Sequence, residues 1–172
     1  MTFDEAEIFR RYQEITRLLI RCKRTITTME SCTAGLLATL LTNTEGSSGI
    51  LKGAFVTYSN EAKICAGVPE EVIRKYGVYS EETAVEMAKA CRAAFHADIG
   101  IGVTGSFGNP DPANADSVPG RIFFALDLGG RATVFSRELL PEPSRYEYKI
   151  TAAALVLKEL RKLLAEDLQE ES

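Results

Sequence analysis

The chain has 172 residues, 45% of them hydrophobic and 26% charged, an ordinary globular composition with enough length to bury one sizeable core. Its formal net charge is -4, and 20 Lys and Arg are dispersed among 24 Asp and Glu with no basic run, so no nucleic acid is expected as a partner. No apolar stretch nears the roughly 20 residues of a membrane span, and the amino terminus MTFDEAEIFRRYQ is too acidic and polar for a secretory signal, so a cytoplasmic protein without a membrane partner is expected.

Residues 4–22 carry Ile8, Tyr12, Ile15 and Leu19 at steps of four and three, which predicts an amphipathic helix. The β-branched run RTITTM follows as a buried strand, and TAGLLATLLTN reads as a helix stopped near Gly46. GILKGAFVTYS is a second strand, ending where Ser59 or Asn60 can cap a short helix with Glu61 in its first turn. VPEEVIRKYG supplies another short helix between Pro69 and Gly77. Ser80 caps a longer one, whose Ala84, Met87, Ala88, Cys91 and Phe95 repeat at helical spacing.

DIGIGVTG has the unbroken apolar character of a central strand covered on both faces. The long segment GSFGNPDPANADSVPG, rich in Gly, Pro, Asn and Asp, is of a length that is usually functional or disordered. RIFFALDL and RATVFSREL flank a Gly-Gly pair and predict a hairpin. The last helix starts near Ser144, presents Ile150, Ala153, Ala154, Leu157, Leu160 and Leu164 on one face, and is expected to fray into an acidic tail from about residue 166. No repeat or linker divides the chain, so the expected architecture is a single α/β domain over 1–172, a three-layer αβα sandwich around a mixed β-sheet.

Cys22, Cys32, Cys65 and Cys91 show no C-x-x-C spacing, and His96 is the single histidine, so no metal site is expected and the cysteines read as reduced, buried thiols. His96, at the polar end of a helix with no motif around it, reads as a surface residue. The stretch TMESCTAGLL places Ser31 where a strand gives way to a helix, a place where α/β sheets bind ligands through unpaired N–H groups. Ser31 or Thr33 there is either a helix cap or, for Ser31, a nucleophile that needs a base. Lys63, at the start of a predicted helix, is either such a base, its charge disfavoured by the dipole and by partial burial, or a solvated lysine. Cys32 is a thiol nucleophile at the same helix start or a small core residue.

Taken in order, ESCTAGLLATLLTNTEGSSGILKGAFVTYSNEAKICAGV, GVYSEETAVEMAKACR, IGVTGSFG and VPGRIFFAL closely resemble the carboxy-terminal domain of the CinA (competence/damage-inducible) family, from about residue 5 to about 165. ESCTAG and VTYSNEAK are the specific parts of the match. The resemblance implies an amidohydrolase that converts nicotinamide mononucleotide and water to nicotinate mononucleotide and ammonia. Ser31 would be the nucleophile, Lys63 its base, and Tyr58 a neighbour that assists the proton path. It further implies that Glu30, Cys32, Thr33, Gly35, Asn60, Thr104, Gly105, Gly108 and Arg145 bind a small nucleotide substrate, with no cofactor, in a homo-oligomer of two or more chains. Many relatives carry an extra amino-terminal domain, so the chain resembles the stand-alone form.

Two departures bear on substrate. Where the family commonly reads TGIAGP, this chain reads TGSFGNPDPANADSVPG, and where it commonly has two arginines four apart, this chain has Arg145 and Lys149. The second function weighed is a non-catalytic or altered-specificity nucleotide- or phosphate-binding module of the same fold.

Overall fold

The computed structural model describes residues 4–115 and 117–170. Its elements are α1 (Glu5–Cys22), β1 (Ile26–Glu30), α2 (Leu36–Thr42), β2 (Leu51–Val56), α3 (Asn60–Cys65), α4 (Glu70–Tyr76), α5 (Glu81–Phe95), β3 (Ile99–Gly105), β4 (Arg121–Leu128), β5 (Arg131–Glu138) and α6 (Arg145–Glu170). The strands make one mixed sheet in the order β2-β1-β3-β4-β5, with β2, β1 and β3 parallel and β4 and β5 added antiparallel. α1, α2 and α6 pack together on one face over a core that includes Tyr12, Leu40, Phe124 and Leu157. α5 covers the other face with Ala84, Met87, Ala88 and Cys91. The expected three-layer α/β architecture is therefore the one observed.

Local chemistry explains the boundaries. Asp4, Ser59 and Ser80 cap α1, α3 and α5 through side-chain oxygens that accept backbone N–H groups. Ser144 caps α6: its hydroxyl oxygen accepts from the Glu147 N–H, and its hydroxyl donates to the Glu147 carboxylate. Gly129 and Gly130 both take positive φ in the tight β4–β5 turn. α5 lies directly on β3 because that strand carries Gly100 and Gly102: a Cβ at Gly102 would stand 2.3 Å from the Ala84 carbonyl oxygen.

Three expectations are corrected. The helix read from Thr33 begins at Leu36, because Ala34 (φ 50) and Gly35 (φ 92) are both left-handed and cannot belong to a right-handed helix. The tail expected to fray is helical to Glu170, held by Asp167, which bridges Arg24 and Arg131; residues 171–172 lie outside the described part. Cys65 is exposed and Cys22 half-buried, whereas Cys32 and Cys91 are buried; His96 is on the surface, ending α5 in a left-handed conformation. Among the described residues no helix is long and apolar enough to cross a membrane.

Candidate active site

The strand order itself selects a location. From β1 the chain crosses to β2 on one side, while β3 lies on β1's other side, so the C-terminal ends of β1 and β3 stand at a switch point of the sheet, the place where α/β sheets bind ligands. Ser31 stands at the end of β1, and the loop that begins at Thr104–Gly105 leaves the end of β3. The Ser31 N–H donates to the Val103 carbonyl (3.0 Å), extending the β1–β3 ladder by one residue and fixing the serine against β3.

The turn after Ser31 is organised by Glu30. This carboxylate is fully buried and accepts four hydrogen bonds: from the N–H groups of Gly35 (3.0 Å), Leu37 (3.1 Å) and Ala38 (2.9 Å), and from the Thr28 hydroxyl (3.0 Å). The cap of α2 is thus neither Ser31 nor Thr33, whose hydroxyl is buried without a hydrogen-bond partner among the described residues. Glu30 caps from the strand side and leaves Ser31 unencumbered. The same bonds occupy the free N–H groups of the helix start, so Glu30 builds the site and has no oxygen to spare for a ligand.

Lys63 reaches Ser31 from α3. Its Nζ lies 3.0 Å from Ser31 Oγ, 2.8 Å from the Thr57 carbonyl oxygen and 3.5 Å from that of Ser59. The side chain is 1% exposed and Ser31 6%. Burial is the leading cause that brings the Lys63 ammonium down to about 8, while Cys32, Asp111 and Glu61 act in the other direction. The expected dipole origin is corrected: Lys63 sits in the last turn of a six-residue helix, and removal from water supplies the effect. Burial also pushes the Cys32 thiol up to about 12, so its reading as a thiolate nucleophile is set aside in favour of a small core residue.

The remaining residues divide. Tyr58 is 62% exposed, and its hydroxyl accepts a hydrogen bond from Arg145 (3.2 Å) rather than joining the Ser31–Lys63 pair. Arg145 also lies over the Phe107 ring (5.8 Å), and Phe107, buried, stacks on Tyr148 at 5.3 Å. Asn60 donates to Asn114 (2.9 Å). Thr104 is buried and donates to the Val78 carbonyl (2.9 Å), so it anchors the loop rather than presenting a hydroxyl. Gly105 sits against the Arg121 carbonyl, and Gly108 (φ 38) lets the loop turn beside Tyr148. Lys149 is half-buried on α6.

Sequence reasoning passed over the interior of the long loop. Asp111 accepts from Tyr79 Oη (2.6 Å), Asn114 Nδ2 (2.7 Å) and the Ala113 N–H (2.9 Å), and its own N–H donates to Ser117 Oγ (2.8 Å). Together with the Asn114–Asn60 bond, this ties the loop to the start of α3. The signal available in the sequence was the loop's length alone.

Comparison with known proteins identifies the family and the fold. The CinA C-terminal domain model matches residues 10–164. A CinA-like protein of Gemmatimonas aurantiaca is 39% identical over 83% of the chain and 33% of its own length. A CinA-like protein of Chlorobium chlorochromatii is 36% identical over 88% of the chain and 36% of its length. The chain therefore spans about a third of the curated relatives it matches. Among solved structures, competence damage-inducible protein A (ComA) of Klebsiella pneumoniae superposes with a TM-score of 0.84 at 27% identity, covering 92% of this chain and 97% of that one. Competence/damage inducible protein CihA of Agrobacterium tumefaciens gives 0.80 at 28% identity, covering 95% and 98%. Motif order, sheet topology and these matches agree, and the chain belongs to the CinA C-terminal domain family.

Proposed function

We propose that the chain is a nicotinamide mononucleotide amidohydrolase working through a Ser31–Lys63 pair. The observation that carries this reading is the 3.0 Å contact between a buried lysine amine and a serine hydroxyl at the switch point of the sheet. A serine is too weakly acidic to attack a carboxamide unaided, and a lysine near 8 has an appreciable neutral fraction at neutral pH to serve as its base. A binding-only module has no need of a desolvated lysine aimed at a serine, which supports the catalytic reading over that alternative.

In the first half-reaction Ser31 Oγ passes its proton to Lys63 Nζ and forms a bond to the carboxamide carbon. The C–N bond then breaks as Lys63 returns the proton to the leaving nitrogen, which departs as ammonia. In the second, Lys63 takes a proton from water, the hydroxide attacks the acyl carbon, and Ser31 is released with its proton as nicotinate mononucleotide leaves. With the start of α2 occupied by Glu30, oxyanion stabilisation falls to the N–H groups of the turn at Cys32 and Thr33. Arg145, held at the site by Tyr58 and Phe107, is the phosphate partner in this reading.

The test is ammonia release from nicotinamide mononucleotide by the pure protein. Ser31→Ala and Lys63→Arg are each expected to abolish it with folding intact, since guanidinium gives up no proton. Cys32→Ala is expected to retain most of it. Lys63→Arg activity within about tenfold, a loss of only about 1.4 kcal/mol of barrier stabilisation, would make Lys63 a positioning cation and end the Ser–Lys mechanism.

A further inference from the structure

We propose that Asp111 is a positioning residue of this site: carried on the long β3–β4 loop and clamped to the helix that bears Lys63, its carboxylate charge stabilises the Lys63 ammonium formed when Ser31 gives up its proton. The inference rests on the Ser–Lys reading and adds to it a residue from the part of the chain that departs most from the common family pattern. Its basis is the clamp. Asn114 donates to Asp111 (2.7 Å) and accepts from Asn60 (2.9 Å), so one side chain couples the loop carboxylate to the first residue of α3, three positions before Lys63. Tyr79 fixes the same carboxylate oxygen from the segment between α4 and α5 (2.6 Å).

Every bond to the Asp111 carboxylate comes from a donor, and those from Tyr79 and Asn114 lead in holding it below the usual carboxylate range, so the group is charged wherever Lys63 titrates. Three groups act on Lys63 from the elements around it: Cys32 from the turn after β1, Asp111 from the loop, and Glu61 from α3 itself. Cys32, buried and pushed up to about 12, is an uncharged thiol at working pH. Glu61 is fully exposed, where water and salt screen it. Asp111, half-buried and clamped through Asn114 to the first residue of α3, is left as the foremost negative charge acting on the lysine. An ordinary Asx turn would account for the bond from Ala113 alone; it does not require the second oxygen to be fixed by Tyr79 from another segment and by Asn114, which itself accepts from Asn60 of α3.

The sign of one measurement separates charge from scaffolding. The full chain is labelled at lysine Cε with 13C, the Lys63 resonance is identified by its loss in Lys63→Met, and its titration is followed without substrate. The wild-type midpoint is expected near 8. Asp111→Asn removes the charge at nearly constant volume, and its single accepting oxygen replaces one of the two carboxylate oxygens; loss of the charge is expected to lower the midpoint by roughly half a pH unit, the scale of one charge acting through a partly wet surface. Asp111→Glu, which restores the charge, is expected to bring the midpoint back toward the wild-type value. If Asp111 merely holds the loop shut, Asp111→Asn admits water to Lys63 and the midpoint rises; a rise, or no change, overturns the proposal. Because the titration uses no nucleotide, it judges Asp111 separately from the ammonia assay, which judges the amidase.

Discussion

At Lys63, the proposed catalytic role and stability pull in opposite directions. The folded protein holds this ammonium near 8 against an ordinary value of 10.5, so the unfolded chain binds its proton more tightly than the folded one. Between about pH 8 and 10.5 the unfolded state therefore carries more protons, and stability must rise with pH across that window. Below about 8 the full penalty of burying the charged amine is present, about 3 kcal/mol on the scale of one pH unit per 1.36 kcal/mol. Lys63→Met is expected to flatten this slope. Urea unfolding at pH 7, 8, 9 and 10 checks it: the wild-type minus Lys63→Met difference is expected to change by about 2 kcal/mol over the range in favour of the wild type. A constant difference would mean that the amine is hydrated in the folded state. If Lys63 is the base of the proposed amidohydrolase, the kinetic counterpart has the same origin: kcat/KM is expected to rise with pH along a limb centred near 8 and then level off.

Elements are where the sequence was most and least legible. Apolar spacing and caps located each α-helix and strand, though not the short 3-10 turn at Ser47–Gly49, because α1, α5 and α6 have one buried face each and β3 is buried throughout. What the pattern could not yield was the start of α2. Local rules assign capping to the nearest Ser or Thr, but here two left-handed residues displace the helix, and a glutamate one position before the serine reaches around to cap it. Nothing in the linear order of Glu30, Ser31 and Thr33 distinguishes that arrangement from a Thr33 cap. The consequence is testable. Glu30→Ala strands three backbone N–H groups near the serine and is expected to cost more than about 3 kcal/mol in urea unfolding, against about 1 kcal/mol for an ordinary cap lost. A cost near 1 kcal/mol would show that water replaces the carboxylate easily. Gly102→Ala probes the opposite face. Its Cβ would meet the backbone of α5 at 2.3 Å, so the helix must move, and a loss of about 3 kcal/mol is expected with Ser31 chemistry disturbed only indirectly.

Over the whole molecule, the site is legible only after topology is known, because it joins segments that sequence keeps far apart. Ser31 follows β1, Tyr58 follows β2, Phe107 follows β3 and Arg145 opens α6. The β2-β1-β3 order brings the first three to one edge, and the Phe107–Tyr148 stack brings the start of α6 to the same edge. Arg145 is consequently held from two sides, by the Tyr58 hydroxyl and by the face of Phe107, with its remaining donors still able to meet an anion. A planar fork set in place in this way suits a phosphate better than a freely rotating ammonium does. If Arg145 is the phosphate partner, Arg145→Ala is expected to raise KM for nicotinamide mononucleotide by tenfold or more, about 1.4 kcal/mol of lost binding, with kcat little changed. For the phosphate-free riboside the same substitution is expected to change KM less than about twofold. Arg145→Lys is expected to recover only part of the nucleotide's affinity, since a point charge does not reproduce two parallel N–H bonds. An equal effect of Arg145→Ala on nucleotide and riboside would place the phosphate elsewhere and leave Arg145 as a support for Tyr58 and the loop.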